Sequence, residues 1–115
     1  MVYYGSCFEP ALVDRAMKRG PAAPSASPYG DYDTMLKTLT DQLERPYLLG
    51  ERFSAADAPW GTALTWTTMV KLVPELPVIT AYVAHVNGRP AVARARARDA
   101  QLAAAHAAAA PAPAA

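Results

Sequence analysis

Few side chains in this chain are of the types that carry catalysis, and their spacing suits no catalytic arrangement. Cys7 is the only cysteine of the sequence, and it lies on an apolar helical stripe with no neighbouring base that would activate its thiol. His85 falls on the polar side of a helical pattern, and His106 stands in an alanine-rich tail without further ligands for a metal. We therefore expect no catalytic residue and no metal site in this chain.

Ser54 and Asp57 could be read as a catalytic pair, but their spacing matches the capping box of a helix start. In that motif the serine hydroxyl accepts the N–H of Asp57, and the Asp57 carboxylate accepts the N–H of Ser54. Helix capping accounts for both residues, so we interpret them as structural and not as catalytic. We expect replacement of either residue by alanine to destabilise the fold by about 1 kcal/mol.

The first two helices follow from apolar residues that recur at helical spacing. The first carries Tyr4, Phe8 and Leu12 on one stripe. Pro10 cannot donate to the Ser6 carbonyl, so we expect a bend in this helix. After a loop rich in proline and small residues over 20–30, the pattern predicts a second helix over 31–45.

The third helix is expected to be the centre of the fold. It starts at the Ser54 cap, and its large apolar residues, among them Trp60, Trp66 and Met69, surround it instead of lining one side. A helix that is apolar on most faces is buried. Pro59 is expected to forfeit the helical hydrogen bond to its upstream carbonyl and to kink this helix locally.

The last two helices complete an all-helical pattern. A fourth helix over 78–86 is stopped by Asn87-Gly88, and Pro90 suits the first position of a fifth. The sequence thus predicts an all-α fold, a five-helix bundle around a central buried helix, in a domain over 1–102. Residues 103–115 are rich in alanine and proline and are predicted to be a disordered tail.

Composition argues against several classes of function. The net charge is +1, and Arg94, Arg96 and Arg98 do not share one face, so we expect no nucleic-acid partner. A membrane span needs about 20 mostly apolar residues, and neither such a stretch nor a secretion signal is present. A single cysteine fits a reducing compartment. We expect a cytoplasmic protein without a membrane partner.

The stretch at 48–57, LLGERFSAAD, resembles the segment that caps the central helix in the C-terminal domain of glutathione transferases. The downstream order agrees with that family: Trp66 on the same helix, then Tyr82, then Arg89-Pro90-Ala91 at the start of the last helix. Upstream, the residues FEPAL at 8–12 resemble the fourth helix of bacterial members. The resemblance spans nearly the whole chain.

The resemblance implies a helical domain that works beside a thioredoxin-like domain, which in the family holds glutathione and stabilises its thiolate. Nothing in this sequence corresponds to that second domain, and the first helix starts uncapped, as if truncated. We therefore expect the electrophile-pocket and dimer-surface part of a glutathione S-transferase, inactive on its own. Glutathione would be the co-substrate of the full-length enzyme, and this chain alone would hold no cofactor.

The same resemblance indicates which residues would bind substrate. In bacterial relatives the tryptophan at the place of Trp66 lines the pocket for an electrophile. Tyr4 and Phe8, one turn apart, could form the opposite wall, because apolar aromatic side chains suit a promiscuous apolar site. All three residues could equally be plain core aromatics. The implied partners are a small apolar electrophile and, as one possible assembly, a second copy in a homodimer.

Two functions of other classes fit the same residues. A free-standing helical domain of this type can be a non-catalytic interaction or dimerisation module, as related domains are in translation-associated complexes. Alternatively, the bundle could hold apolar compounds between the Tyr4–Phe8 wall and Trp66 without turning them over.

Overall fold

The computed structural model describes residues 2–20 and 22–113 and contains five α-helices. The helices span Glu9–Ala16 (α1), Tyr32–Gln42 (α2), Asp57–Met69 (α3), Pro77–Asn87 (α4) and Pro90–Ala109 (α5). A π-helical turn over Tyr4–Phe8 leads into α1, and a 3-10 turn over Pro24–Ala26 lies in the first loop. Within the described ranges there is no strand, only an isolated bridge between Tyr47 and Gly50. The predicted all-helical fold with five helices is confirmed.

The core is built from one side of each of the first four helices. Its fully buried side chains come from the first helix, α2, the two loops around α3, α3 itself and α4, and include Phe8, Met35, Leu39, Leu48, Trp60, Leu64, Val73, Ile79 and Tyr82. The helices α3 and α4 pack closely at Gly61, where an added Cβ would overlap the Val86 side chain. Glycine at this position therefore sets the distance between the two helices.

The first helix departs from regular α-geometry just before its proline. Pro10 has no N–H for the Ser6 carbonyl, and the turn ahead of it is a π-helical one in which the Glu9 N–H bonds the carbonyl of Tyr4. A π-helical turn is one way for a helix to accommodate an interrupted hydrogen-bond ladder. We predicted a disturbance at Pro10 as a bend, and the structure has this wider turn.

The helices α2 and α4 begin and end near their predicted limits. Asp31 precedes α2 and its carboxylate accepts the Thr34 N–H at 2.7 Å, so α2 has a side-chain cap. It ends at Gln42, one turn earlier than predicted. α4 spans Pro77–Asn87, one residue longer at each end than predicted, and Gly88 is its C-cap.

The third helix is buried on one side only, which corrects the expectation of a helix covered on most faces. Trp60 and Leu64 lie in the core, whereas Trp66 is 56% and Met69 is 70% exposed. No other described helix covers that side, because α5 stands away from α3. The prediction that Pro59 forfeits a helical hydrogen bond is also wrong. Because α3 begins at Asp57, Pro59 lies in the first turn, where N–H groups have no helical partner.

The fifth helix continues to Ala109 and buries none of its residues. The predicted boundary at residue 102 therefore falls inside a helix, because alanine has the strongest helix preference of all residues and extends α5 without packing contacts. The division into a domain over 1–102 and a disordered tail over 103–115 stays a prediction, and residues 1, 21, 114 and 115 lie outside the described part. No described helix combines the length and apolar character needed to cross a membrane.

Candidate functional site

The three residues predicted to bind substrate line one groove between the first helix and α3. Tyr4 and Phe8 form one side of it and Trp66 lies on the other, although Trp66 is far from them in the sequence. The groove has a volume of about 280 Å³. Its remaining lining is mostly apolar and consists of Glu9, Leu12, Val13, Ala16, Ala63, Thr67 and Leu72. Whether this groove binds a substrate stays a prediction.

The three aromatic residues take different positions in the groove. Phe8 is buried, with 1% of its surface exposed, and forms the floor. Tyr4 is half-buried on the wall, and the exposed Trp66 lies at the rim. A ligand in the groove would therefore contact the side chain of Trp66, which is already accessible to solvent.

Trp60, a residue that the sequence analysis assigned only to the core, holds the floor in place. Its ring lies 4.8 Å from that of Phe8 and 5.0 Å from that of Tyr4, measured between centroids. Tyr4 and Phe8 are themselves 5.6 Å apart. Such clusters favour tilted and edge-on contacts, and these three rings adopt them. Trp60 lies on the same side of α3 as the buried Leu64, but its contacts with rings of the first helix leave no signal in the sequence.

The groove offers apolar contact and little acid–base chemistry. The hydroxyl of Thr67 is occupied, because it donates to the Ala63 carbonyl at 2.7 Å. Glu9 supplies a carboxylate at the exposed edge. The Cys7 thiol lies outside the groove lining and contacts the Pro28 carbonyl at 3.3 Å. Among the described residues, no group of three or more His, Cys, Asp and Glu side chains could hold a metal ion.

Asp57 is the most heavily bonded polar side chain of the described residues, and it is completely buried. Its Oδ1 accepts the Leu48 N–H at 2.9 Å and the Tyr82 hydroxyl at 2.8 Å. Its Oδ2 accepts the Ser54 N–H at 2.8 Å and the Ser54 hydroxyl at 3.2 Å. One carboxylate thus joins the loop before α3, the start of α3 and the middle of α4.

The predicted capping box is half present. The Asp57 carboxylate does accept the Ser54 N–H, as predicted. The reciprocal bond is different: the Asp57 N–H donates to the backbone carbonyl of Ser54 at 3.0 Å, and the Ser54 hydroxyl is itself a donor to Asp57. The reason is that residues 54–57 form a closed turn ahead of α3, so the serine hydroxyl is free to bond the carboxylate.

The electrostatics of this cluster favour an ionised carboxylate and a neutral phenol. Burial raises the pKa of the Asp57 carboxyl, but the N–H groups of Leu48 and Ser54 and the two hydroxyls outweigh it, so the pKa lies below its usual range. Burial and the bond to Asp57 raise the pKa of Tyr82 well above that of a free tyrosine. The pair is therefore a stable structural element and not an acid–base pair poised near neutral pH.

A second, larger cleft of about 470 Å³ separates α3 from α5. Trp66 lines this cleft as well as the groove, together with Met69 from α3. Its α5 side presents Val92, Arg96 and Asp99. Arg94, Arg96 and Arg98 are all exposed, and Arg96 also lines the cleft.

Polar contacts fasten the start of α5 to the rest of the fold. Arg96 donates to Asn87 Oδ1 at 3.0 Å, and Asn87 Nδ2 donates in turn to the Thr65 hydroxyl at 3.0 Å. The Arg89 guanidinium lies 3.9 Å above the ring of Phe53. These contacts hold α5 at its N-terminal end, and the remainder of the helix projects into solvent.

Comparison with known proteins gives one match. The sequence model of the family described as Glutathione S-transferase, C-terminal domain, matches residues 30–90. The matched span contains α2, α3 and α4, and with them Asp57, Tyr82 and Trp66, while Tyr4 and Phe8 precede it. Searches of curated proteins and of solved structures found no significant match.

Proposed function

The chain belongs to the family of glutathione S-transferase C-terminal domains, and from this premise we propose that its groove receives the electrophilic, apolar substrate of a glutathione S-transferase. The observation that supports the proposal is the meeting of Tyr4, Phe8 and Trp66 around one groove. In the proposed reaction the sulfur of the glutathione thiolate attacks an electrophilic carbon of the substrate and forms a thioether bond. The bond from that carbon to its leaving group breaks, and the leaving group, for example chloride, departs with the bonding electron pair.

The groove residues suit the electrophile and not glutathione. A mostly apolar wall recognises an apolar compound by surface burial. The lining holds one carboxylate, that of Glu9, and it would repel a thiolate instead of stabilising it. We therefore propose that glutathione is bound by a separate thioredoxin-like domain and that this chain alone does not catalyse conjugation.

The proposal is tested with an aryl chloride activated by nitro groups as the electrophile and glutathione as the thiol. The chain alone should give no rate above the uncatalysed reaction, and a fusion to a family glutathione-binding domain should be active. In the fusion, Trp66→Ala should raise KM for the electrophile several-fold while KM for glutathione is unchanged. Leu49→Ala, at another exposed apolar residue, is the matched control and should leave both values unchanged.

Two results would contradict the proposal. Activity of the isolated chain would refute the need for a second domain, and an inactive but folded fusion would refute the transferase assignment. In the second case the exposed Trp66 separates the remaining functions. Quenching of its fluorescence by apolar compounds without turnover would favour a ligand-holding bundle, and the absence of quenching would favour a non-catalytic interaction module.

A further inference from the structure

The groove and the cleft meet at a single side chain of α3. Ala63 and Thr67 line the groove, and Thr62 and Met69 line the cleft. Trp66 is the one described residue that lines both. Successive residues of an α-helix are rotated by about 100° around its axis, which places Trp66 between these two pairs. The two cavities are therefore neighbours, and only the indole of Trp66 separates them along this side of α3.

A ligand can lie across this indole without displacing any packed side chain. Trp66 is 56% exposed, and Met69 on the cleft side of it is 70% exposed. A ligand that extends from the groove over Trp66 would cover both side chains, and burial of their apolar surface would favour binding. The open side of α3 thus connects the two cavities.

We propose that the electrophile of the groove carries a long tail, which crosses Trp66 and lies in the cleft between α3 and α5. The inference rests on the proposed function, because the reactive head of the same ligand occupies the groove. The rings of Tyr4 and Phe8 suit an aromatic head. The tail has to span about 10 Å, the diameter of a helix with its side chains. The substrate class is therefore an elongated aromatic electrophile and not a compact one.

The walls of the cleft indicate that the tail is apolar along its length. Apart from Trp66 and Met69, most of the lining is aliphatic or aromatic: it includes Phe53, Ala58, Val86, Ala91, Val92 and Ala95. Such walls recognise an alkyl chain by surface burial and make no directional demands on it.

The charges of the cleft indicate that the tail ends in a neutral group. Arg96 and Asp99, of opposite charge, lie one turn apart on the α5 wall. Arg89 also lines the cleft, but its guanidinium lies over the ring of Phe53. A charged end would be repelled by Arg96 or by Asp99, whereas a hydroxyl can accept from the first and donate to the second. A guanidinium has several N–H donors, and Arg96 uses one of them for Asn87.

Equilibrium dialysis of the whole chain with unreactive probes tests the proposal. The short probe, para-nitrophenyl ethanol, has the aromatic head alone, and the long probe, para-nitrophenyl octanol, adds the tail with its hydroxyl end. The long probe should bind at least about tenfold more tightly. The matching acid, para-nitrophenyl octanoic acid, should bind less tightly than the long alcohol. An acid that binds more tightly would overturn the neutral end group.

Two variants at exposed apolar side chains locate the tail. Met69→Glu places a charge in the cleft and should weaken the long probe by about fivefold or more, while the Kd of the short probe stays within about twofold. Leu102→Glu makes the same change at a 51% exposed residue of α5 that lines neither cavity. As the matched control it should leave both Kd values within about twofold. Equal effects of Met69→Glu on the two probes, or an equal effect of Leu102→Glu on the long one, would overturn the proposal.

A third variant separates failure of this proposal from failure of the proposed function. Val13 lines the groove and is 44% exposed, so Val13→Glu should weaken both probes by a similar factor of about fivefold or more. If it does and Met69→Glu has no selective effect, the groove remains the site of the head and only the tail is wrong. If neither probe binds, or Val13→Glu changes neither Kd, both proposals are overturned. Far-UV circular dichroism checks that each variant keeps its helices.

Discussion

The two ends of α3 show opposite relations between polarity and burial. At its N-terminal end the charged Asp57 is completely buried, and near its C-terminal end the indole of Trp66 is 56% exposed. Asp57 is enclosed because four donors from the surrounding loop, turn and α4 meet its carboxylate. Trp66 is open because no element within the described residues packs over it. Burial along one helix is thus decided by its neighbours and not by the character of each residue.

The largest effect is expected at the buried end. Asp57→Ala leaves the Leu48 N–H, the Ser54 N–H and the Tyr82 hydroxyl without an acceptor in the interior, so the free energy of unfolding should fall by about 4 kcal/mol. This exceeds the 1 kcal/mol inferred from capping alone. Urea denaturation measures it. Asp31→Ala, at the exposed cap of α2, is the control and should cost only about 1 kcal/mol. Equal losses in the two variants would show that the buried Asp57 carboxylate contributes no more than an exposed cap.

Next in size is the close approach of α3 and α4. Gly61→Ala places a methyl group against Val86, and the helices must separate, so we expect a loss of about 2 kcal/mol in stability. Gly5→Ala adds the same group where no neighbouring atom lies within 4 Å and should change stability little. Thermal unfolding of both variants tests this, and equal changes in Tm would show that the packing at Gly61 is not tight.

A smaller effect is expected on how the free energy of unfolding depends on pH. The folded pKa of Asp57 lies below its ordinary value of 3.8, so its contribution to stability is complete above that value and is lost as pH falls through the folded pKa. Tyr82→Phe removes one donor to the carboxylate and should cost about 1.5 kcal/mol at neutral pH. Between pH 5 and 2, the free energy of unfolding of the Tyr82→Phe variant should fall less than that of the natural chain. Urea denaturation at each pH measures both. Parallel curves would show that the Tyr82 bond does not lower this pKa.

The smallest effect on folding is expected at the open end. Trp66→Ala should change the free energy of unfolding by less than about 0.5 kcal/mol, because its side chain is largely in solvent. Trp60→Ala, at the other tryptophan, empties a buried site and should cost about 4 kcal/mol. A large loss at Trp66 would mean that the open side of α3 is covered in solution, for example in a dimer, and dilution of the sample would then reduce that loss.

The sequence predicted the helices well because their signals are local. Prolines, the Asn87-Gly88 stop and apolar spacing mark the elements, and the capped segment at 54–57 identified the start of the central helix. Burial was predicted less well, since it depends on contacts between elements distant in the chain. The periodicity of α3 did not reveal that α5 stands away from Trp66, and no spacing rule joins Asp57 to Tyr82.

The site was predicted in the same uneven way. The role of Trp66 was expected from the family resemblance, and Tyr4 and Phe8 were expected on the opposite wall because they lie one turn apart; the structure brings all three to one groove. The support of the groove floor by Trp60 was missed, because a ring–ring contact between two helices has no signature in the sequence of either one.

The hydrogen bond from the Leu48 backbone N–H to the Asp57 carboxylate has a consequence for local motion. Leu48 lies in a loop, in the tight turn closed by the mutual backbone bonds of Tyr47 and Gly50, and loop amides normally exchange their hydrogen with solvent quickly. Here the acceptor is a fully buried carboxylate, so the amide can open only when α3, α4 and the loop separate. In deuterated water, a slowly exchanging amide at Leu48 would make this loop part of the cooperative unit formed by those helices.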